Sequence, residues 1–368
     1  MELLWAALIF IAGVSSFRRF RSEVLLSLFN LALVYGVFFK TNVLAGAVLF
    51  GMVCLHYLTL RFRKVPIALA YVLPVLTLIA FKSQDLFTAI GASFLAFRLL
   101  SAASEVQARI VSTQTLSQYL FYCFYFPTMK LGPIGSLADH LESLRIQRGL
   151  KWFEFEWPQL ARIAYGGVKY FVFTKAVTYY AQALGYGDWE SVSTFPALLA
   201  TGFCSFFKLY LSFSGFTDMA VGLSHFLKFR MKENFLHPFK ATNVGEFWSN
   251  WHVSLTDLLK ELIFIPLNLK LLKRYGTRKR FILTPPILLL LYVAIGLWHG
   301  IGWNFVVLGV YYAFGAIVSL YFSAFELRES RFFSYVSIVL TQTFIALSFL
   351  LIENPLETAV SILQKVLH

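Results

Sequence analysis

A chain of 368 residues, 58% of them hydrophobic and only 14% charged, carries far less charge than soluble domains, which average about 25%. Its mean hydropathy of +0.68 excludes a water-facing globule: the bilayer must act as solvent, and the expected fold is all-α, a polytopic bundle of transmembrane helices. The net charge of +13 sits in short basic clusters between apolar runs, which the excess of Lys and Arg in cytosolic loops explains, so membrane lipids are the expected partners and nucleic acid is not.

The first apolar run, residues 3–16, is followed rather than preceded by Arg18, Arg19 and Arg21. A cleaved signal peptide has its charge first, so this run is read as a retained membrane helix that starts outside. Runs at 24–39 and 43–60 follow, and then Arg61, Arg63 and Lys64. Two crossings separate the two basic clusters and place both in the cytosol. Residues 65–81 go out and 86–100 return, with Arg98 near the end of that run placed to snorkel to the interface. The stretch 114–134 is apolar but interrupted by Pro127, Gly132 and Pro133, so it cannot be one regular helix. Irregular backbone survives in lipid only when buried in protein or lining a wet cavity, which predicts a re-entrant segment beside a tunnel.

Residues 140–156 mix Leu and Ile with Arg145, Arg148, Lys151 and Trp152 and read as an amphipathic surface helix. A span at 159–184 leads to an outer loop, 185–191, which carries Asp188 and Glu190 and no base. The return span, 194–213, holds Lys208, for which both a bundle-facing and a snorkelling position are open. From 214 to 254 hydrophobicity fades and Trp, Asn, His and Gly accumulate, with Lys228, Arg230, Lys232 and Lys240 marking the cytosolic side. Residues 255–272 read as an in-plane or half-inserted helix. After the cytosolic cluster Lys270, Lys273, Arg274, Arg278, Lys279 and Arg280 come crossings at 281–298, 303–325 (returning to Arg328 and Arg331) and 333–352. No internal repeat is visible, and residues 1–368 are read as one integral-membrane domain. Cys54, Cys123 and Cys204 lie in apolar runs without ligand spacing, so neither bridges nor metal are expected.

Two histidines stand out, His252 after Trp251 and His299 after Trp298. Ionisable groups are costly inside a membrane and are functional candidates by default. His299 ends an uncharged apolar span, and Gly300 and Gly302 just beyond it allow a backbone or ligand chain to approach closely. Histidine suits proton transfer, since its ordinary pKa near 6.5 lets it act near neutrality. A second histidine or an asparagine would orient an acyl carbonyl or stabilise its oxyanion. A separation of 47 residues is no local metal motif, and neither a Gly-x-Ser-x-Gly elbow nor a phosphate-binding loop is present.

Several stretches then carry a resemblance: Phe126-Pro127 with Gly132-Pro133-Ile134, Phe213 to Ala220, Glu233-Asn234-Phe235, Glu246-Phe247-Trp248, Trp251 to Leu255, Ile265-Pro266-Leu267 and Leu297-Trp298-His299-Gly300. In order and spacing they resemble the membrane-bound O-acyltransferases, in the bacterial branch of teichoic-acid D-alanyl transferases and alginate and peptidoglycan O-acetyltransferases. The resemblance extends over residues 91–351. It implies that His299 is the family's catalytic histidine, that His252 is the second active-site residue, and that re-entrant and in-plane helices ring a central tunnel. A thioester donor, on an acyl carrier protein's phosphopantetheine or on coenzyme A, would enter that tunnel from the cytosol, with the hydroxyl acceptor arriving from outside. Two departures concern the donor side: Asn250 stands where arginine is frequent, and Lys260-Glu261 replaces an Arg-Asp pair, keeping charge but not fork geometry. The chain is also short for this branch, so a peripheral helix is expected to be lacking.

The sequence thus points to a multi-pass enzyme of the plasma (inner) membrane that passes an acetyl or D-alanyl group to a cell-envelope polymer or export partner, with no bound cofactor. His299 is the expected base and His252 the second catalytic or orienting group. Trp251, Trp298 and Asn250 are candidates for the tunnel wall, and Asp218 is a candidate substrate contact. Expected protein partners are an acyl carrier protein inside and an acyltransferase outside. A proton-coupled transporter or flippase and a non-catalytic membrane scaffold are the alternatives.

Overall fold

A computed structural model describes residues 2–40, 42–62, 65–82, 91–112, 114–150, 156–322 and 331–368. Arg63, Lys64, Lys151, Trp152 and Arg328 lie outside these residues. Where it is described the chain is helical, and the only extended pairing is a single antiparallel bridge between Phe235 and Trp251. Among the described residues five helical stretches are long and apolar enough to cross a bilayer: Val43–Arg61, Phe195–Phe226, Thr277–His299, Trp303–Phe322 and Arg331–Glu353. The protein is therefore an all-α membrane protein. Its chain divides into two compact units, one formed by Met1–Gly167 and Phe216–Glu233, the other by Val168–Gly215 and Asn234–His368.

The first unit holds α1 (Glu2–Phe20), α2 (Glu23–Val34, continued by a π-helical turn to Phe39), α3 (Val43–Arg61), α4 (Ala68–Lys82), α5 (Ala92–Gln107), α6 (Leu116–Cys123), α7 (Leu137–Gly149) and α8 (Trp157–Val168). Side-chain caps start several of them, among them Ser22 for α2, Asn42 for α3 and a Thr115–Gln118 capping box for α6. These caps occupy backbone N–H groups that a helix cannot satisfy internally. At the start of α7 the Glu105 carboxylate accepts from the backbone N–H groups of Leu137 (3.0 Å) and Ala138 (2.8 Å), where negative charge also complements the helix dipole.

The interruption anticipated at Pro127 is present, as α6 stops at Cys123 and a single 3-10 turn covers Phe126–Thr128. Its exposed backbone groups are taken up by two buried side chains. Asn30 donates to the Phe124 carbonyl (2.8 Å) and accepts from the Phe126 N–H (3.1 Å). Arg98 donates to the carbonyls of Cys123 (2.7 Å) and Thr128 and to the Thr128 hydroxyl (2.5 Å). Arg98 therefore does not snorkel: it is only 1% exposed, and its fork substitutes for hydrogen bonds that the broken helix cannot make.

The second unit holds a π-helical turn at Lys169–Phe173, α9 (Thr174–Ala183), the first part of α10 (Phe195–Phe226), α11 (Val244–Asn250), α12 (Val253–Leu259, continued by a π-helical turn to Phe264), α13 (Ile265–Tyr275), α14 (Arg280–His299), α15 (Trp303–Phe322), α16 (Arg331–Leu347), α17 (Phe349–Glu353) and α18 (Leu356–Leu367). Here α10 is 32 residues long and passes straight through Ser214, where fading hydrophobicity had suggested an end. Lys208 on this helix pairs with Glu353 (3.3 Å), whose other oxygen accepts from Trp189 Nε1 (2.8 Å) and Ser205 Oγ (2.7 Å). The α18 helix was not foreseen.

Helices α14 and α15 form a hairpin whose backbones meet through glycine. A Cβ on Gly296 would fall 2.1 Å from the Phe305 carbonyl oxygen, and one on Gly309 would fall 2.6 Å from that of Tyr292. No side chain fits at either point, so the two backbones approach this closely only because both residues are glycine.

The arrangement around Arg98 is directly testable. Arg98→Ala is expected to lower the thermal midpoint of detergent-solubilised protein, by the equivalent of about 2 kcal/mol or more for lost charge-assisted bonds. Arg98→Lys should recover only part of that loss, because one ammonium cannot span both carbonyls. A full recovery by lysine would show that charge alone matters at this site.

Candidate active site

The site assembles in the second unit around His252. Its backbone lies in the left-handed region (φ 47°, ψ 49°), a conformation costing a non-glycine residue roughly 1–2 kcal/mol. Two backbone hydrogen bonds clamp it there, from Val253 N to Asn234 O (3.0 Å) and from Leu236 N to Asn250 O (2.9 Å). The imidazole is thereby turned away from the path that either flanking helix would impose.

Behind His252, Trp251 is 7% exposed and sits among the rings of Phe206 (5.6 Å), Tyr210 (6.0 Å), Phe235 (5.0 Å) and Phe247 (5.4 Å). This packing makes Trp251 the wedge that sets the height of its neighbour. The Asn250 amide donates to the Glu246 carbonyl of its own helix (2.9 Å).

The His252 ring, 6% exposed, packs edge-on against Phe213 (4.8 Å) and Trp298 (6.4 Å). Its Nδ1 lies 3.2 Å from Asn234 Oδ1, an atom that also meets Ser254 N (3.3 Å) and Ser254 Oγ (2.9 Å). A backbone N–H can only donate, so the Asn234 atom facing it must be the amide oxygen. His252 Nδ1 therefore carries the proton, and Nε2 is left as the ring's basic nitrogen. Burial lowers the His252 pKa from 6.5 to about 3, and His299 acts in the same direction. At neutral pH the ring is an uncharged acceptor with a fixed tautomer.

His299 is the last residue of α14 and is exposed. Its ring lies 4.7 Å from that of Trp298, so Trp298 touches both histidines. The glycines beyond it do permit a close approach, but by the chain itself: a Cβ on Gly300 would meet the Phe305 ring at 2.0 Å, and one on Gly302 would meet Asn304 Oδ1 at 2.5 Å. Asn304, 9% exposed, anchors this turn by donating to the Leu351 carbonyl (3.0 Å).

Of the residues singled out by sequence, His252, Trp298 and His299 thus form one group, with Trp251 supporting it from behind. Asp218 belongs to the first unit. There Arg162 donates to it through Nε (3.1 Å) and Nη2 (3.0 Å), and also bonds Glu233, whose carboxyl these bonds hold below its ordinary range. Asn234, Ser254 and Phe213 were not singled out, although all three lie in the motif stretches. Only the folded chain reveals that an asparagine oxygen gathers the donors around His252. Among the described residues no group of three or more His, Cys, Asp or Glu is placed to hold a metal ion.

A pocket of about 310 Å³ lies in the same unit, lined by Trp248, Lys260, Thr284, Leu288, Tyr292 and Ile295 among others. The α14 residues in that lining recur at helical spacing, and Trp298 and His299, three and four residues past Ile295, continue the same face.

No family model matches the chain. Curated relatives do. A peptidoglycan O-acetyltransferase of Helicobacter pylori is 29% identical over 201 residues, 53% of this chain and 36% of the relative. A teichoic acid D-alanyltransferase of Bacillus subtilis is 25% identical over 289 residues, 72% of this chain and 69% of the relative. A probable alginate O-acetylase of Azotobacter vinelandii is 37% identical over 105 residues, 28% of this chain and 20% of the relative. These relatives are members of the bacterial branch of the membrane-bound O-acyltransferases, the family that the motifs of this chain resemble. The chain's matches to such relatives span from a fifth to just over two thirds of their lengths.

The state of His252 has a pH consequence. Because its folded pKa lies below the unfolded value, the unfolded chain takes up a proton first as pH falls. Stability from this residue should therefore decline with acid, from about pH 6.5 toward the folded value. Nitrogen NMR of histidine-labelled protein should show His252 still neutral, with Nδ1 protonated, near pH 5. Asn234→Leu should abolish the tautomer preference. An imidazolium signal from His252 at that pH in the native protein would contradict the assignment.

Proposed function

We propose that this protein is a multi-pass enzyme of the plasma (inner) membrane that moves a small acyl group, acetyl or D-alanyl, from a cytosolic thioester to a hydroxyl of a cell-envelope polymer or export partner. The observation that carries this reading is the group of His252, Trp298 and His299, in which one imidazole is buried, neutral and tied to Asn234.

In the proposed reaction His299 takes the proton from the acceptor hydroxyl as its oxygen attacks the thioester carbonyl. The tetrahedral intermediate then collapses, the C–S bond breaks, and the leaving thiolate receives the proton from His299. His252 presents only the lone pair of Nε2, so it cannot donate to an oxyanion while neutral. Its fitting role is to accept a hydrogen bond, from His299 or from an N–H or O–H of substrate, and so orient that group. Trp298 forms the wall shared by both rings; Trp251 and Asn250 stand behind it as support.

The donor side draws support from the pocket along α14. Its lining includes Lys260, and the basic cluster at 270–280 flanks it in sequence. That arrangement suits an anionic donor such as a carrier-borne phosphopantetheine or coenzyme A, and an acidic acyl carrier protein as cytosolic partner. The relatives' names cover both acetyl and D-alanyl transfer, and an acyltransferase on the outer face would relay the group onward.

The test is acyl transfer in membranes from a labelled thioester to envelope polymer. Loss of a general base costs about 100- to 10,000-fold, so His299→Ala should reduce transfer by at least about 100-fold. His252→Ala should reduce it strongly too, while both variants remain inserted and monodisperse. Undiminished acylation by His299→Ala would end the proposal.

A further inference from the structure

The α18 helix divides its circumference into three sectors. Ala359 and Ile362 are buried, 1% and 2% exposed, and pack with Val366 into the core of the second unit. Beside them Val360 (45%), Leu363 (39%) and Leu367 (80%) are exposed and, with Leu356, form one apolar stripe at helical spacing. The remaining sector carries Glu357, Ser361, Gln364 and Lys365, all exposed. The apolar arc is thus wider than the unit covers, and its uncovered part lies between the buried face and the polar face.

The chain just before α18 says what covers that stripe. The stretch Arg331–Glu353, long and apolar enough to cross a bilayer, ends two residues earlier, and Asn354 and Pro355 are extended (ψ 145° and 154°). Two extended residues reach only about 7 Å, so α18 starts at the edge of the hydrocarbon layer. There Asn354, 9% exposed, donates to the Leu350 carbonyl (3.0 Å) and closes off the preceding helix end. A helix held at that depth, with one apolar flank and one polar face, has the pattern of an interfacial amphipathic helix.

We infer that α18 lies in the plane of the bilayer surface, with Val360, Leu363 and Leu367 seated among lipid acyl chains and Glu357, Ser361, Gln364 and Lys365 toward water. The partner of this face is lipid rather than another protein. Through Leu351, whose carbonyl holds Asn304, the same chain segment also fixes the turn that follows His299, so an interfacial α18 sets the depth of that turn.

The test uses purified full-length protein, one copy per lipid nanodisc, carrying single cysteines at positions 360, 361, 363 or 364. All four positions are exposed in the protein itself, so differences in labelling report the surroundings. A water-soluble maleimide should label Ser361→Cys and Gln364→Cys readily, and Val360→Cys and Leu363→Cys at least about tenfold more slowly, as burial in the acyl-chain boundary requires. A lipid carrying a nitroxide on its acyl chain should quench a fluorophore at 363 but not one at 364. Equal labelling at all four positions, or no quenching at 363, would overturn the inference and leave the stripe as a docking face for a protein absent from the nanodisc.

Discussion

Backbone that leaves regular helix inside a packed protein interior has no water to bond, so neighbouring groups must supply the missing partners. In the first unit, Arg98 and Asn30 bond the carbonyls and the N–H freed where α6 breaks at Pro127. In the second, Asn304 holds the turn after His299, and Asn234 closes the kink around His252 with its own carbonyl and its side-chain oxygen. Each irregular stretch is thus paired with a buried side chain, from a distant part of the sequence or, at Asn304, from the turn itself. At His252 the same device does double duty: the oxygen that satisfies Ser254 also decides which imidazole nitrogen carries the proton.

That decision narrows the chemistry. A histidine free to exchange tautomers can donate to a carbonyl or accept from a hydroxyl as required. His252 cannot, because donation from Nδ1 is already committed and burial opposes a second proton. As a neutral ring it can only accept at Nε2, and in the proposed reaction that leaves proton exchange with the substrate to the exposed His299. The two rings differ in their settings: one is clamped under aromatic packing, the other stands at a helix end.

Much of the architecture was readable from hydrophobicity, since long apolar runs bounded by basic clusters have few alternatives in lipid. The break at Pro127 was equally legible, because proline cannot donate to a helix ladder. Arg98 was misjudged for a physical reason. Sequence shows a charge near the end of an apolar run but not the carbonyls of a segment some thirty residues on, whose opening makes burial favourable. The run through Ser214 was misread because hydroxyls lower hydropathy while remaining easy to bury inside a helix. The short α18 escaped notice because its 12 residues cannot span a bilayer and its apolar positions alternate with a polar face. At the site, the histidines and tryptophans announced themselves by rarity, whereas Asn234 and Ser254 are ordinary residue types whose importance is a matter of convergence in space. Asp218 belongs with Arg162 and Glu233.

The glycine contact between α14 and α15 constrains where the imidazole of His299 can stand. Since Gly296 and Gly309 each leave room only for the opposing backbone, enlarging either residue would push the two helices apart over their whole length. His299 rides on the end of one of them, so a larger residue at either glycine would displace its imidazole, whereas a change at Leu288 or Ile295 would alter only the wall of the neighbouring pocket.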